Sequence, residues 1–332
     1  MTKQNRLFND SESTFLFDPN AKTETARAEG MAKFIIERHK IYLKRASGLP
    51  KPWTKDPILR AGKFTNIDRF LDPGTQWIYK NVVKTYENHP NLWLMICLSR
   101  IINWPDTLEA LQKAGAWPTE KWDSDAAWYV MADRIQKHKK VVTGAYIVNT
   151  VFPKEYTRFS GPGEGKAEYI AYVAINSLWE ARKDISYAFK ESLAATSTVL
   201  SCHQGWGGTF MPYQVIGDLT YSKKWLGNAP DVNTFTSPGP GTIKGLSWLV
   251  NGAMNNRVKA SEVNAHMNRT RNLMNQLLRR MIPTKHYTGD WATGFGPVSM
   301  VNWHNCFCET SKMVRSILDG GTDRMRNLYN GG

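Results

Sequence analysis

Apolar residues recur along most of this chain at the three-to-four-residue spacing of helices buried on one side. Met31, Phe34, Ile35 and Tyr42 form one such stripe, with Lys33, Lys40, Lys44 and Arg45 elsewhere around the helix. The run "SGLPKPWTKDP" (47–57) breaks it with three prolines and a glycine. Further helices are predicted over about 58–72, 74–87, 91–103 and 106–114, from the turn "FSGPGEGKAEY" (159–169) to about Lys183, and over 186–201 and 209–221. "NLWLMICLSRIIN" (91–103) is apolar almost all round, which predicts a buried core helix. Over 262–282, Met267, Thr270, Met274, Leu277, Leu278 and Met281 make an inward stripe. Arg269, Arg271, Arg279 and Arg280 lie outside that stripe, on a face that is either solvated or follows a phosphate backbone. "VVTGAYIVNTVF" (141–152) is the one β-like run, and its Thr143-Gly144 equally suits the cap of a short buried helix. The fold class is mostly α.

A length of 332 residues suits one large domain or two ordinary ones. Residues 1–25 read as a loose N-terminal arm, 26–325 as a single helical domain open to division into two lobes around a central cleft, and 326–332 as a tail. Lys and Arg number 43 against 29 acids, a net +14 that points to a polyanionic partner, nucleic acid before an anionic membrane surface. No run of 18 apolar residues is present and the start is polar, so the expectation is a cytoplasmic protein with no membrane partner. The thirteen tryptophans suit base stacking or core filling, and core is the commoner role. Cys97, Cys202, Cys306 and Cys308 have neither the spacing of a zinc site nor that of a disulfide framework.

Three stretches concentrate groups able to do chemistry. "KFTNIDRFLDPGTQW" (63–77) places Arg69 three residues from Asp72, and Asp72 four from Gln76, so a helix there gives them one polar face. "STVLSCHQGWGGTFMPYQVIGDL" (197–219) reads as helix, Gly-rich hairpin, helix, in which Gly205, Gly207 and Gly208 free the backbone to offer amides to a phosphate. That hairpin resembles the helix-hairpin-helix element of DNA-repair glycosylases. In "NWHNCFCETSK" (302–312), Asn305, Glu309 and Lys312 follow His304 at helical spacing, a polar row among Trp303, Cys306, Phe307 and Cys308. "GPGEGKAE" and "SPGPGTIKG" both fail the G-x-x-x-x-G-K-[ST] pattern; as turns they offer amides, with Lys166 or Lys244 adding charge.

The ordered blocks "IERHKIYLKRASGLPKPWTKDPILRAGKFTNIDRFLDPGTQW", "TGAYIV", "GTFMPYQVIGDLTYS", "SPGPGTIKG" and "HNCFCETSK" resemble the α-glutamyl/putrescinyl-thymine pyrophosphorylase group of bacteriophages, also described as amino acid:DNA transferases. The helical domain of phage 5-hydroxymethyluracil DNA kinases shares these blocks, and the resemblance spans roughly residues 30–325. It implies a helix-hairpin-helix, glycosylase-like helical fold and a role in thymidine hypermodification within an infected bacterium. Double-stranded DNA carrying modified uracil and a small amine donor are the implied partners. On the matching positions it implies substrate or pyrophosphate contacts from Arg60, Lys63, Thr65, Asn66, Arg69, Gln76, Gln214, Lys244, Asn305 and Lys312. Asp72, Asp218 and Glu309 become the acid–base set, and Gly239 and Gly241 belong to the third block. Many members carry Glu-Phe-Asp-Lys-Tyr where this chain has "ETSKM", so Thr310, Ser311 and Met313 depart from the pattern and leave the donor open.

The chemistry implied is loss of pyrophosphate from the 5-methylene carbon of an extruded base, and attack there by an amine. Extrusion costs about a few kcal/mol. Lys63, Arg69, Lys244 and Lys312 would meet the developing charge. No particular cofactor is implied, and Mg²⁺ is compatible with the scheme. Asp72, Asp218 or Glu309 would take the amine's proton, and spacing does not choose among them. Three other readings fit parts of the pattern: a DNA glycosylase using Asp218 or Asp231, the helical part of a hydroxymethyluracil kinase, and a non-enzymatic DNA-binding scaffold.

Overall fold

The computed structural model of the chain describes residues 18–144 and 164–319. Its regular structure is helical, with no strand among the described residues. In order the helices are α1 (Glu24–Ala46), α2 (Pro57–Ala61), α3 (Pro73–Ile78), α4 (Leu92–Ile102), α5 (Pro105–Lys113), α6 (Ser124–Gln136) and α7 (Glu164–Tyr169). They continue as α8 (Ile175–Ile185), α9 (Ala188–Glu191), α10 (Leu193–Ser201), α11 (Phe210–Leu219), α12 (Pro240–Asn251), α13 (Val263–Met281) and α14 (Met300–Leu318). The chain divides into two compact units, residues 1–72 with 238–332, and residues 73–237.

In the first unit α1, α12, α13 and α14 enclose a core of Phe34, Ile35, Leu246, Trp248, Met274, Leu278, Trp303 and Phe307. The stripes on α1 and on α13 supply it as their spacing predicts. Helices α12 and α14 cross closely because Gly241 and Gly245 lie one turn apart on the contact face. A Cβ on Gly245 would sit 2.1 Å from the Phe307 carbonyl oxygen, and one on Gly241 2.8 Å from the Cys308 sulfur. In "SPGPGTIKG", then, Gly241 and Gly245 serve helix packing. Arg27 of α1 donates to the carbonyls of Leu249 and Val250 at 2.8 and 3.1 Å, satisfying the end of α12. His39 is fully buried beside Trp291 and Phe295 and donates through Nε2 to the Gly294 carbonyl. Burial lowers its pKa to about 4.

In the second unit α4 is buried along its whole length, as its all-round apolarity predicts, and α11 packs beside it, buried from Met211 to Leu219. Asn103, in the left-handed region at φ 44°, ends α4. Helix α6 was not among the predicted segments. Asp123 caps it by accepting from the Ala126 amide, and Ala127, Trp128 and Met131 form its inward stripe.

Several expectations need correction. The helix over 58–72 is not continuous. Asp56 caps α2, Gly62 ends it in an extended conformation, and the chain stays irregular until a single 3₁₀ turn at Arg69–Leu71. Pro73 holds Asp72 out of the helical region (ψ 135°), so Arg69, Asp72 and Gln76 share no helical face. The segment 186–201 is two helices, because Ser192 is extended and caps α10 through its hydroxyl. Nine of the thirteen tryptophans are buried, so core filling is their main role. All four cysteines are free. The β-like run lies outside the described residues beyond Gly144, as do the first part of "FSGPGEGKAEY", most of the N-terminal arm and the tail.

Candidate functional site

In the first unit the extended strip after α2 is held by side chains from two helices. From α14, Asn302, Asn305, Glu309 and Lys312 lie on one face at helical spacing. Asn302 donates to Asp68 at 3.0 Å and accepts from the Arg69 amide at 3.0 Å. Asn305 donates to the Thr65 hydroxyl at 2.7 Å. Glu309 accepts the Thr65 amide at 3.1 Å, and the same oxygen accepts from Lys312 at 2.8 Å. The Lys312 ammonium also reaches the Lys63 carbonyl at 2.8 Å and lies 4.9 Å from the centre of the Phe64 ring. From α1, Arg38 donates to the Phe64 carbonyl and to the Asn66 side-chain oxygen, each at 2.8 Å. Asn66 closes the strip on itself by donating to the Leu71 carbonyl at 3.0 Å, while its amide meets Asp72 at 3.3 Å. These polar groups replace the backbone partners that a helix would have supplied.

The strip walls one side of a cavity of about 440 Å³. Five cations line it: Arg38, Arg45, Lys51, Arg60 and Lys63. Among the described residues no carboxylate does. Arg60, Lys63 and Lys51 are exposed, whereas Arg38 is buried, and burial lowers its guanidinium pKa to about 10 despite the nearby charges of Asp72 and Glu309. It therefore stays protonated at neutral pH. Burial raises the Asp68 carboxyl above its ordinary value, and the Phe70 amide and Asn302 oppose that shift.

The remaining residues singled out from sequence are distributed over both units. Lys244 is exposed on α12. On α13, Arg269 pairs with Glu24 at 2.7 Å and Arg280 with Glu29 at 3.1 Å, so two of the four arginines tie this helix to α1. Arg279 stacks over Tyr287 at 4.9 Å, and Arg271 is half-buried. In the second unit Gln76 is exposed on α3 and Gln214 is buried on α11. Asp218 is fully buried and takes a two-pronged bond from the buried Arg100, whose Nη2 also donates to Thr75 at 3.0 Å. Asp231 accepts the Leu193 and Ala194 amides, both at 2.9 Å, and so caps α10. The acids available to a glycosylase reading are thus both engaged structurally. The hairpin between α10 and α11 leaves Gly207 and Gly208 exposed, with Gly208 at φ +88°. Gly205 has a packing role instead, since a Cβ there would sit 2.7 Å from that of Ala174.

Sequence reasoning missed Arg38, Arg45, Lys51, Trp53, Asp68 and Asn302. Two of them carried a signal. Arg38 falls in register with the apolar stripe of Met31, Phe34 and Ile35, which marks a buried charge in need of partners. Asn302 stands three residues before Asn305, on the same helical face. Among the described residues no group of three or more His, Cys, Asp or Glu side chains is arranged to hold a metal ion, and no helix is long and apolar enough to cross a membrane.

A family described as "5-hmdU DNA kinase, helical domain" matches residues 25–320. The chain belongs to that family. It is similar to the 5-hmdU DNA kinase of Bacillus phage SP10, with 27% identity over 229 residues. The alignment covers 65% of this chain and 35% of that protein, so the chain spans about a third of the length of the curated relative it matches. No solved structure matches it.

Proposed function

We propose that this chain is a hypermodification transferase acting on DNA in the cytoplasm of a phage-infected bacterium. Its substrate is an extruded 5-pyrophosphoryloxymethyluracil. The bond from the methylene carbon to oxygen breaks, and pyrophosphate leaves with the electron pair. An amino acid or polyamine then forms the new carbon–nitrogen bond and gives up a proton. The observation that carries this reading is the cavity lined by five cations and, among the described residues, by no carboxylate, which suits an accumulating polyanionic charge. Arg60 and Lys63 are the exposed cations for the leaving group, and Lys312 braces the strip that presents Lys63. Mg²⁺ carried in on the phosphates would add charge at the same place.

For the proton, Asp72 is favoured over Glu309. Asp72 is half-buried and accepts the Asn66 amide at 3.3 Å, while Glu309 is 5% exposed and holds both the Thr65 amide and the Lys312 ammonium through one oxygen. Glu309, Asn305, Asn66 and Thr65 act as positioning residues in this scheme. Asp218 is not retained as a base, because Arg100 occupies both its oxygens. Two separate sets of contacts to the DNA backbone are proposed, Gly207 and Gly208 in the second unit and the arginines of α13 in the first.

Family membership favours a second reading, in which the chain presents a 5-hydroxymethyluracil base to a phosphorylating domain. One experiment separates the two. The protein is incubated with DNA bearing 5-pyrophosphoryloxymethyluracil and a pool of amines, and separately with 5-hydroxymethyluracil DNA and ATP. The DNA is then digested and its nucleosides are weighed. An amine adduct in the first arm supports the transferase. No adduct there, with a phosphorylated nucleoside or nothing in the second, overturns it.

A further inference from the structure

The cavity in the first unit is larger and less uniformly polar than an inorganic anion requires. Its volume of about 440 Å³ lies in the range of sites for organic ligands, about 300–1,000 Å³. Beside the cations the wall includes apolar side chains: Ile41, Pro52, Trp53, Leu59 and Phe64. Trp53 is the flat element of that wall, and it is pinned at two points. Its indole N–H donates to the Leu49 carbonyl at 2.7 Å, and its own carbonyl accepts from the Lys44 ammonium at 2.8 Å. Lys44 is itself buried. The Lys51 ammonium lies over the Trp53 ring, 5.3 Å from its centre, so one face of the indole carries a cation and the other is the face for a base. A half-buried indole fixed in this way has lost the freedom it would otherwise give up on stacking.

We infer that the cavity is a site for a phosphorylated nucleotide base, with the base lying against Trp53 and its phosphates meeting Arg38, Arg45, Lys51, Arg60 and Lys63. The inference deepens the transferase reading and rests on it for the identity of the physiological ligand. The geometry itself asks only for a planar aromatic group joined to two or more anionic groups. Two sources have that chemistry: a modified base carried by DNA, and a free nucleoside di- or triphosphate. Trp53 is then the residue that selects base-bearing ligands over bare phosphates. A polyamine is repelled by the same five cations, so the amine donor would have to approach from outside this cavity if it is a polycation.

The test is calorimetric titration of the full chain with three probes: inorganic pyrophosphate, thymidine 5′-triphosphate, and a short single-stranded DNA bearing one 5-pyrophosphoryloxymethyluracil. At least one base-bearing probe should bind about tenfold or more tighter than pyrophosphate. Trp53→Leu should weaken that probe by about five- to a hundredfold, the worth of one stacked base, and leave pyrophosphate unchanged. Trp53→Phe keeps a stacking face and should recover most of the loss. Lys51→Ala, at an exposed position, should weaken all three probes without disturbing the fold. Tighter binding of the DNA probe identifies a DNA-borne base, and tighter binding of the triphosphate a free nucleotide. Equal affinities for all three probes, or Trp53→Leu at full affinity with an unchanged circular dichroism spectrum, would overturn the inference. Selective binding without any amine transfer leaves this site standing and removes the transferase reading.

Discussion

The two units each hold a carboxylate bound to a cation, and the two pairs do opposite things. In the second unit Asp218 and Arg100 are almost completely enclosed, with every carboxylate oxygen met by a guanidinium nitrogen. In the first unit Glu309 shares one oxygen between the Lys312 ammonium and the Thr65 amide, and Lys312 remains partly open to solvent. Arginine's rigid planar fork fits the closed pair, which locks α4 to α11. Lysine's flexible stem fits the other, which props an irregular strip beside a cationic cavity. The same charges within a sequence motif are therefore structural or serviceable according to what else they touch.

That contrast can be broken most severely at Asp218. Asp218→Ala takes the carboxylate from the buried Arg100 charge, and should cost about 3–5 kcal/mol in denaturant unfolding. Replacing both partners with apolar residues of similar volume should restore much of it. A stable Asp218→Ala protein that has lost all transfer would instead return Asp218 to the chemistry.

Acid should act next, and in the first unit. His39 has its folded pKa lowered to about 4 from an ordinary 6.5, so the unfolded chain takes up its proton first. The stability tied to neutral His39 is complete above about pH 6.5 and falls away as pH drops toward 4, by about 3 kcal/mol in all. Unfolding midpoints measured across this range should show the loss in the native protein, and His39→Gln should flatten it.

Lys63→Ala and Arg60→Ala should each reduce the transfer rate by about 10²-fold if these cations meet the leaving pyrophosphate. Both positions are exposed, so unfolding midpoints should stay where they are. Glu309→Gln keeps the shape and the acceptor for the Thr65 amide but removes the charge facing Lys312. Its expected cost is smaller, about 1 kcal/mol in stability. The smallest effect belongs to Arg280→Ala. Its pair with Glu29 is open to solvent, so stability should change by no more than about 0.5 kcal/mol. If α13 follows DNA, the salt dependence of DNA binding should nevertheless lose about one unit of slope.

Much of the helical scaffold was readable because burial on one side imposes a period on any helix. The stripes on α1 and α13 and the all-round apolarity of α4 follow from that requirement alone. The strip 63–72 misled for a related reason. Its apolar residues, Phe64, Ile67 and Leu71, also fall near helical spacing, yet Gly62 and Pro73 bound it and its polar groups find partners on other elements. Asn305, Glu309 and Lys312 were legible as a polar row, since α14 preserves their spacing. Their targets, 240 residues and more away in the chain, were not.

Charge excess, helical class and the grouping of Asn305, Glu309 and Lys312 on one face are properties of composition and local period, and residue order alone determined them. The division of labour among the acids is different in kind. Asp72, Asp218 and Glu309 are chemically alike in the chain, and only tertiary packing decided that one is sealed by Arg100, another bound to a lysine, and the third half-buried on the Asn66 amide. The same holds for the cavity, whose cations come from α1, the proline-rich turn, α2 and the strip after it. A pocket is made by non-local neighbours, and no periodicity within a single segment records them.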